Sequence, residues 1–181
     1  MSSAGAYPVL PRRFHLPLPL AELALHRLPP FVGARTITTA LRLAGAQVAR
    51  STVFWGMPTL LGDGDVTPRL EIGELCGLNF GCIFELEAPI KLADHVAVGH
   101  EVMFLTRTHD PKDPARRGTR SAPKPISVGA GSWLGSRCTI LPGVTIGAGS
   151  VIGACVVVRE DVPANTLLAG PRKISLAKWR K

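Results

Sequence analysis

At 181 residues the chain has room for one hydrophobic core and not comfortably for two. Its 21 Lys and Arg against 13 Asp and Glu leave a formal charge of +8, which suits either an anionic partner or a solubilising surface. Aromatic residues make up only 6% and no nucleic-acid motif is present, so a stacking platform for single strands is disfavoured, and nucleic acid with it.

Residues 1–65 read as an N-terminal extension. Pro8, Pro11, Pro17 and Pro19 interrupt what would be the apolar core of a leader, so none is expected, and no stretch is apolar enough to span a bilayer. Leu18 to Leu28 and Ala34 to Ala49 are predicted as short helices, the second with Ile37, Leu41, Ala44 and Val48 at helical spacing. They are expected to cap the open end of the domain that follows. The alternative is contact of this basic, apolar arm with a membrane surface or a neighbouring subunit; its prolines prevent one long amphipathic helix.

Residues 66–174 carry a period of six. From Val128 to Pro163 the sequence divides into VGAGSW, LGSRCT, ILPGVT, IGAGSV, IGACVV and VREDVP. A period of six matches neither helix nor simple strand, so each unit must be a short strand followed by a corner. Val128, Leu134, Ile140, Ile146, Ile152 and Val158 are predicted to stack inward, each burying about 1.5–3 kcal/mol of apolar surface. Gly129, Gly135, Gly147 and Gly153 follow them where a corner leaves little room. The fifth positions, Ser132, Cys138, Val144, Ser150, Val156 and Val162, are small or β-branched, as a narrow interior demands.

Looser hexads lie upstream. Ile72, Leu78 and Phe84 open three, with Cys76, Cys82 and Ala88 fifth; after a two-residue slip Leu92, Val98 and Phe104 open three more, with Val96, Val102 and Thr108 fifth. Twelve hexads at three per turn predict an all-β solenoid of about four coils. The cysteines fall in or beside the small positions and no CxxC spacing exists, so they read as buried free thiols of a reduced, cytoplasmic protein. A protruding loop at 110–125, rich in Pro, Arg and Lys, interrupts the hexads, and residues 175–181 form a basic tail.

The hexads resemble those of the left-handed parallel β-helix of hexapeptide-repeat acyltransferases. More narrowly, Thr108-His109-Asp110-Pro111, Trp133-Leu134-Gly135-Ser136, Leu141-Pro142-Gly143-Val144-Thr145-Ile146-Gly147 and Glu160-Asp161-Val162-Pro163 resemble the galactoside/maltose/xenobiotic acetyltransferase branch. The likeness implies a homotrimer with acetyl-CoA or a related acyl-CoA as co-substrate, no metal, and a small-molecule acceptor bound between subunits. A sugar or glycan precursor is the first choice of acceptor, a xenobiotic or antibiotic the second. A catalytically silent trimeric binding subunit remains the alternative of another class.

The resemblance assigns His109 as general base, and imidazole suits proton removal near neutral pH. Its second ring nitrogen needs a partner: Glu87, Glu85 and a backbone carbonyl are candidates, with Asp110 adjacent. Counting back from His109, Asn79 and Glu87 correspond to acceptor-binding positions; otherwise Asn79 is a left-handed corner residue and Glu87 a solvated charge. Trp133 lines the acceptor cleft or covers the flank, and Ser136 falls near the thioester, where it could donate to the developing oxyanion. For coenzyme A the likeness implies Ala154 and basic side chains. Arg159-Glu160 stands where the family often has Thr-Lys, so Arg159, Arg172 and Lys173 are expected to replace the usual lysine. His95 and His100 show the five-residue spacing of metal-binding histidines in the γ-class carbonic anhydrases, but no His lies between His26 and His95 to complete that set.

Overall fold

A computed structural model describes residues 33–175 apart from 111, 113, 116 and 171. The predicted helix Leu18 to Leu28 and the tail 176–181 lie outside the described residues. Within them the chain winds about six coils of a three-faced parallel solenoid.

The first coil comprises β1 (Gln47–Val48), β2 (Val53–Phe54) and β3 (Thr59–Leu61), and the second β4 (Leu70–Ile72), β5 (Gly77–Leu78) and β6 (Ile83–Glu85). Coil 3 is β7 (Ile90–Leu92), β8 (Ala97–Val98) and β9 (Met103–Leu105). After the loop, coil 4 is β12 (Ile126–Val128), β13 (Trp133–Leu134) and β14 (Thr139–Ile140), and coil 5 is β15 (Thr145–Ile146), β16 (Val151–Ile152) and β17 (Val157–Val158). The last coil holds the bridge of Val162 to Ile146 and β18 (Thr166–Ala169), against which β19 (Arg172–Ser175) returns antiparallel.

The register puts the hexad openers in columns. Val48, Ile72, Leu92, Val128 and Ile146 stack on the first face, Phe54, Leu78, Val98, Leu134 and Ile152 on the second, and Leu60, Phe84, Phe104, Ile140 and Val158 on the third. All of these are buried. Phe84 and Phe104, poor matches to an aliphatic template, stack with centroids 4.7 Å apart and planes 8° from parallel. The fifth positions Ser132, Cys138, Val144, Ser150 and Val156 also face inward. Ser132 and Ser150 hydroxyls donate to the Gly147 and Pro163 carbonyls at 3.0 and 2.8 Å, so buried polarity is satisfied between coils.

Four expectations change. The solenoid starts at Gln47, not near residue 66, because Val48, Phe54 and Leu60 open three further hexads with Thr52 buried fifth. The second helix ends early: α1 (Ala34–Leu43) stops at the Ala44-Gly45 turn, and Gln47–Val48 pairs as a strand instead. Thr108 is exposed, and Thr106 takes the buried place, its hydroxyl donating to Glu85 O at 2.6 Å while Glu87 N and Ala88 N donate to it. Val162 is buried, but it aligns with the opener Ile146, so the repeat shortens as the prism closes.

Ile37 and Leu41 bury the apolar stripe of α1 over coil 1, and Thr38 Oγ1 donates to Thr52 O at 2.7 Å. Arg42 also donates to Val48 O. The helix therefore caps the prism end, as solenoids require. No helix among the described residues is long and apolar enough to cross a membrane.

Candidate functional site

The fourth residue of a hexad turns the corner. Gly81, Gly131, Gly143 and Gly149 have φ of 66–85°, and Leu75, His95, Glu101, Arg137, Cys155 and Asn165 adopt the same left-handed region at φ 53–61°. The left-handed residue beside Asn79 is thus Gly81, and the corner reading of Asn79 fails. Asn79 is half-buried and its Nδ2 donates to Val98 O at 3.1 Å, which leaves its Oδ1 as an acceptor. Cys76, Cys82 and Cys138 are buried, and burial pushes the Cys82 thiol up to about 11 and Cys138 to about 12. Cys155 departs from the expectation: at a left-handed corner it is exposed.

His109 stands where the wall of coil 3 gives way to the loop. It lies on β10 (His109–Asp110), which pairs antiparallel with β11 (Thr119–Arg120), so a hairpin holds the base of the loop. Ser121 closes the hairpin, its N donating to Thr108 O at 3.0 Å and its Oγ to the same oxygen at 2.9 Å. His109 is exposed, and its Nδ1 is 2.7 Å from Gly118 O. A carbonyl can only accept, so Nδ1 carries a proton, and in the neutral ring Nε2 is the nitrogen with the lone pair. Of the three candidate partners, the backbone carbonyl is the one in place.

Glu85 and Glu87 hold Arg107 instead. Arg107 N donates to Glu85 Oε2 at 2.9 Å, and Arg107 Nη2 lies 3.5 Å from Glu87 Oε2. The Glu87 side chain is only 12% exposed, too enclosed for a solvated loop charge. Arg107 Nε is buried with no hydrogen-bond partner among the described residues. Arg107, which sequence reasoning missed, stacks above Glu87 one coil on and precedes His109 by two residues. The coil offset between Phe84 and Phe104, applied to Glu87, would have found it.

Glu87, Arg107 and His109 therefore share the corner between the third and first faces. Asn79, Ser136 and Ala154 belong to the corner between the second and third, with Ala154 exposed and Ser136 half-buried. Ser136 Oγ accepts from His100 N at 3.3 Å and lies 3.4 Å from His100 Nδ1. Trp133 is 52% exposed on the second face. The structure thus groups the sequence-predicted residues at two corners and does not join the two sets within one chain. Arg159 is exposed beyond β17, and Arg172 and Lys173 lie on β19. His95 and His100 stand at different corners of coil 3, so their spacing does not bring them together.

The first and second outer faces differ. Gln47, Glu71, Lys91, Ser127 and Thr145 point out from the first, where Lys91 Nζ meets Glu71 Oε1 at 2.6 Å. From the second come Val53, Gly77, Ala97, Trp133, Val151 and Leu167, an apolar column.

Residues 125–160 match the family model described as bacterial transferase hexapeptide (six repeats). A Schizosaccharomyces pombe protein provisionally named an acetyltransferase is 41% identical over 102 residues, 56% of this chain and 49% of that protein. The structure is similar to a maltose O-acetyltransferase from Clostridium difficile 630 (TM-score 0.72, 29% identity, covering 88% of this chain and 83% of that one). It is also similar to a galactoside acetyltransferase solved with coenzyme A (TM-score 0.70, 25% identity, covering 86% and 76%). The chain spans about half the length of the curated relatives it matches. Residues 125–160 thus carry the hexapeptide repeat, and the prism has the left-handed β-helix fold that the maltose and galactoside acetyltransferases share.

Proposed function

We propose that the chain is an acyl-CoA-dependent O-acetyltransferase acting on a hydroxyl of a sugar or glycan precursor. One observation carries the reading: the Gly118 carbonyl holds His109 through Nδ1 and leaves Nε2 free of that bond, on an exposed residue at the foot of a loop. A general base needs that arrangement. Nε2 takes the acceptor's hydroxyl proton as the oxygen attacks the thioester carbon. The new C–O bond forms, the C–S bond breaks, and the proton on His109 passes to the departing thiolate. In this reading Glu87, held by Arg107, and the Asn79 Oδ1 accept from acceptor hydroxyls, and Ser136 donates to the oxyanion.

The two corners act together when copies associate. An apolar second face beside a polar first face supports burial of the former, and in a homotrimer the second-to-third corner of one copy meets the His109 corner of the next. Coenzyme A then lies along the Ser136 and Ala154 corner, and Arg159, Arg172 and Lys173 supply positive charge for its phosphates. The likeness to an acetyltransferase solved with coenzyme A supports coenzyme A as the ligand. Free thiols agree with a reducing, cytoplasmic location. The test is thiol release from acetyl-CoA with sugars, amino sugars and antibiotics as acceptors. Turnover with sugars supports the reading, turnover with antibiotics alone replaces the acceptor class, and acetyl-CoA-independent binding without turnover replaces the enzyme by a binding subunit.

A further inference from the structure

The second-to-third corner carries a column of side chains, Phe80, His100, Ser136 and Ala154, one from each of coils 2 to 5. Backbone bonds set the column: Glu101 N donates to Phe80 O at 3.0 Å, Arg137 N to His100 O at 2.8 Å and Cys155 N to Ser136 O at 2.9 Å. His100 turns two nitrogens on one oxygen, its backbone N at 3.3 Å and its ring Nδ1 at 3.4 Å from Ser136 Oγ. The Phe80 ring packs against the imidazole with centroids 4.5 Å apart at 64°, which restrains its rotation. Glu101 and Arg137, the charges next along the corner, are joined to each other at 2.7 Å.

A hydroxyl has one proton to give and two sites at which to accept. If both sites are filled from within the corner, the proton must point outward; if Nδ1 is bare, the proton turns inward to it. We propose that His100 is a positioning residue for acetyl transfer: its backbone N–H and its Nδ1–H fill both acceptor sites of Ser136 Oγ and direct the Ser136 proton at the thioester oxygen. This rests on the acyltransferase reading, in which Ser136 stands beside the thioester. It adds a residue that the hexad pattern and the family likeness leave without a role in acyl transfer. The consequence is that Ser136 is a prepared donor rather than a rotor, and that His100 acts on the reaction only through it.

Two readouts test the proposal. In protein labelled with 15N-histidine, the His100 ring carries its proton on Nδ1 at neutral pH, and Ser136→Ala shifts that resonance. In thiol-release assays Ser136→Ala lowers kcat on the order of 100-fold and His100→Leu on the order of 10-fold, each with little change in the KM for acceptor. The double variant is no slower than Ser136→Ala alone. His100→Asn, whose amide N–H can donate to the same oxygen, keeps kcat within about threefold of wild type. A bare Nδ1, a resonance indifferent to Ser136→Ala, or losses that multiply in the double variant overturn the proposal. If wild type releases no thiol with any acceptor, the acyltransferase reading fails, while the NMR result still decides whether His100 donates to Ser136.

Discussion

Replacing Gly135 by Ala tests how tightly the coils are stacked. A Cβ at 135 would lie 2.6 Å from Ala154 N and 2.7 Å from Ile152 O, both backbone atoms of the next coil. Ordinary contact needs about 3.4 Å or more, so the coils must part by several tenths of an ångström or the chain must bend. Gly135 N donates to that same Ile152 O at 2.7 Å, and the bond is stretched by any such movement. Overpacking together with a weakened ladder bond costs about 3 kcal/mol. Gly131 is the control. It has φ 69° and no atom within 4 Å of an added Cβ, so Ala there meets only the left-handed penalty of about 1 kcal/mol, partly offset by the stiffer unfolded chain. At roughly 2–4 °C per kcal/mol for a chain of this size, Gly135→Ala should melt at least about 4 °C below Gly131→Ala. Thermal unfolding followed by circular dichroism reads the difference. Equal melting points, or a milder Gly135→Ala, would refute the argument that coil contact, not φ, requires glycine at that position.

Thiol reactivity should divide by burial: native protein titrates a single cysteine with a disulfide reagent, Cys155, and denatured protein all four, whereas loss of native reactivity in Cys155→Ser is the identifying check. Burial raises the Cys82 and Cys138 thiols in the folded state above their ordinary 9.0, so their contribution is whole below about pH 9 and is lost as pH climbs toward 11–12. Urea unfolding at about pH 8 and pH 10.5 should therefore show a smaller alkaline loss in Cys82→Ala than in wild type, and equal losses would contradict it. Glu87→Gln should raise the acceptor KM several-fold with a smaller effect on kcat and none on the KM for acetyl-CoA, as steady-state kinetics would show.

The period of six made most of the fold legible, because burial of one residue per strand and one per corner leaves a trace at every turn. It was readable where openers are aliphatic and glycine follows most of them, from Val128 to Val158. Coil 1 escaped because Phe54-Trp55-Gly56-Met57-Pro58 carries an aromatic opener and Arg50-Ser51 stands where glycine usually marks the corner, while the same segment overlaps a helical spacing that ends at Val48. Tertiary pairing decided Val48 for the strand. The site was legible for His109, whose position before a long loop is a property of sequence. Its Gly118 partner was not, since a backbone carbonyl nine residues away is set by the hairpin register. Arg107 gave no signal of its own, and the spacing of His100 from His95 pointed only to a metal. Each matters through a neighbour one coil away, and the coil offsets change from turn to turn with the loop and the slips between hexads.

The most direct test of the account is the rate of thiol release from acetyl-CoA by wild type and by His109→Ala, in the presence of the best sugar acceptor and with the fold checked by circular dichroism. The account predicts an acceptor-dependent wild-type rate and a loss of about 100-fold or more in kcat in the variant, with the KM for acetyl-CoA little changed. A variant that turns over as fast as wild type would contradict it.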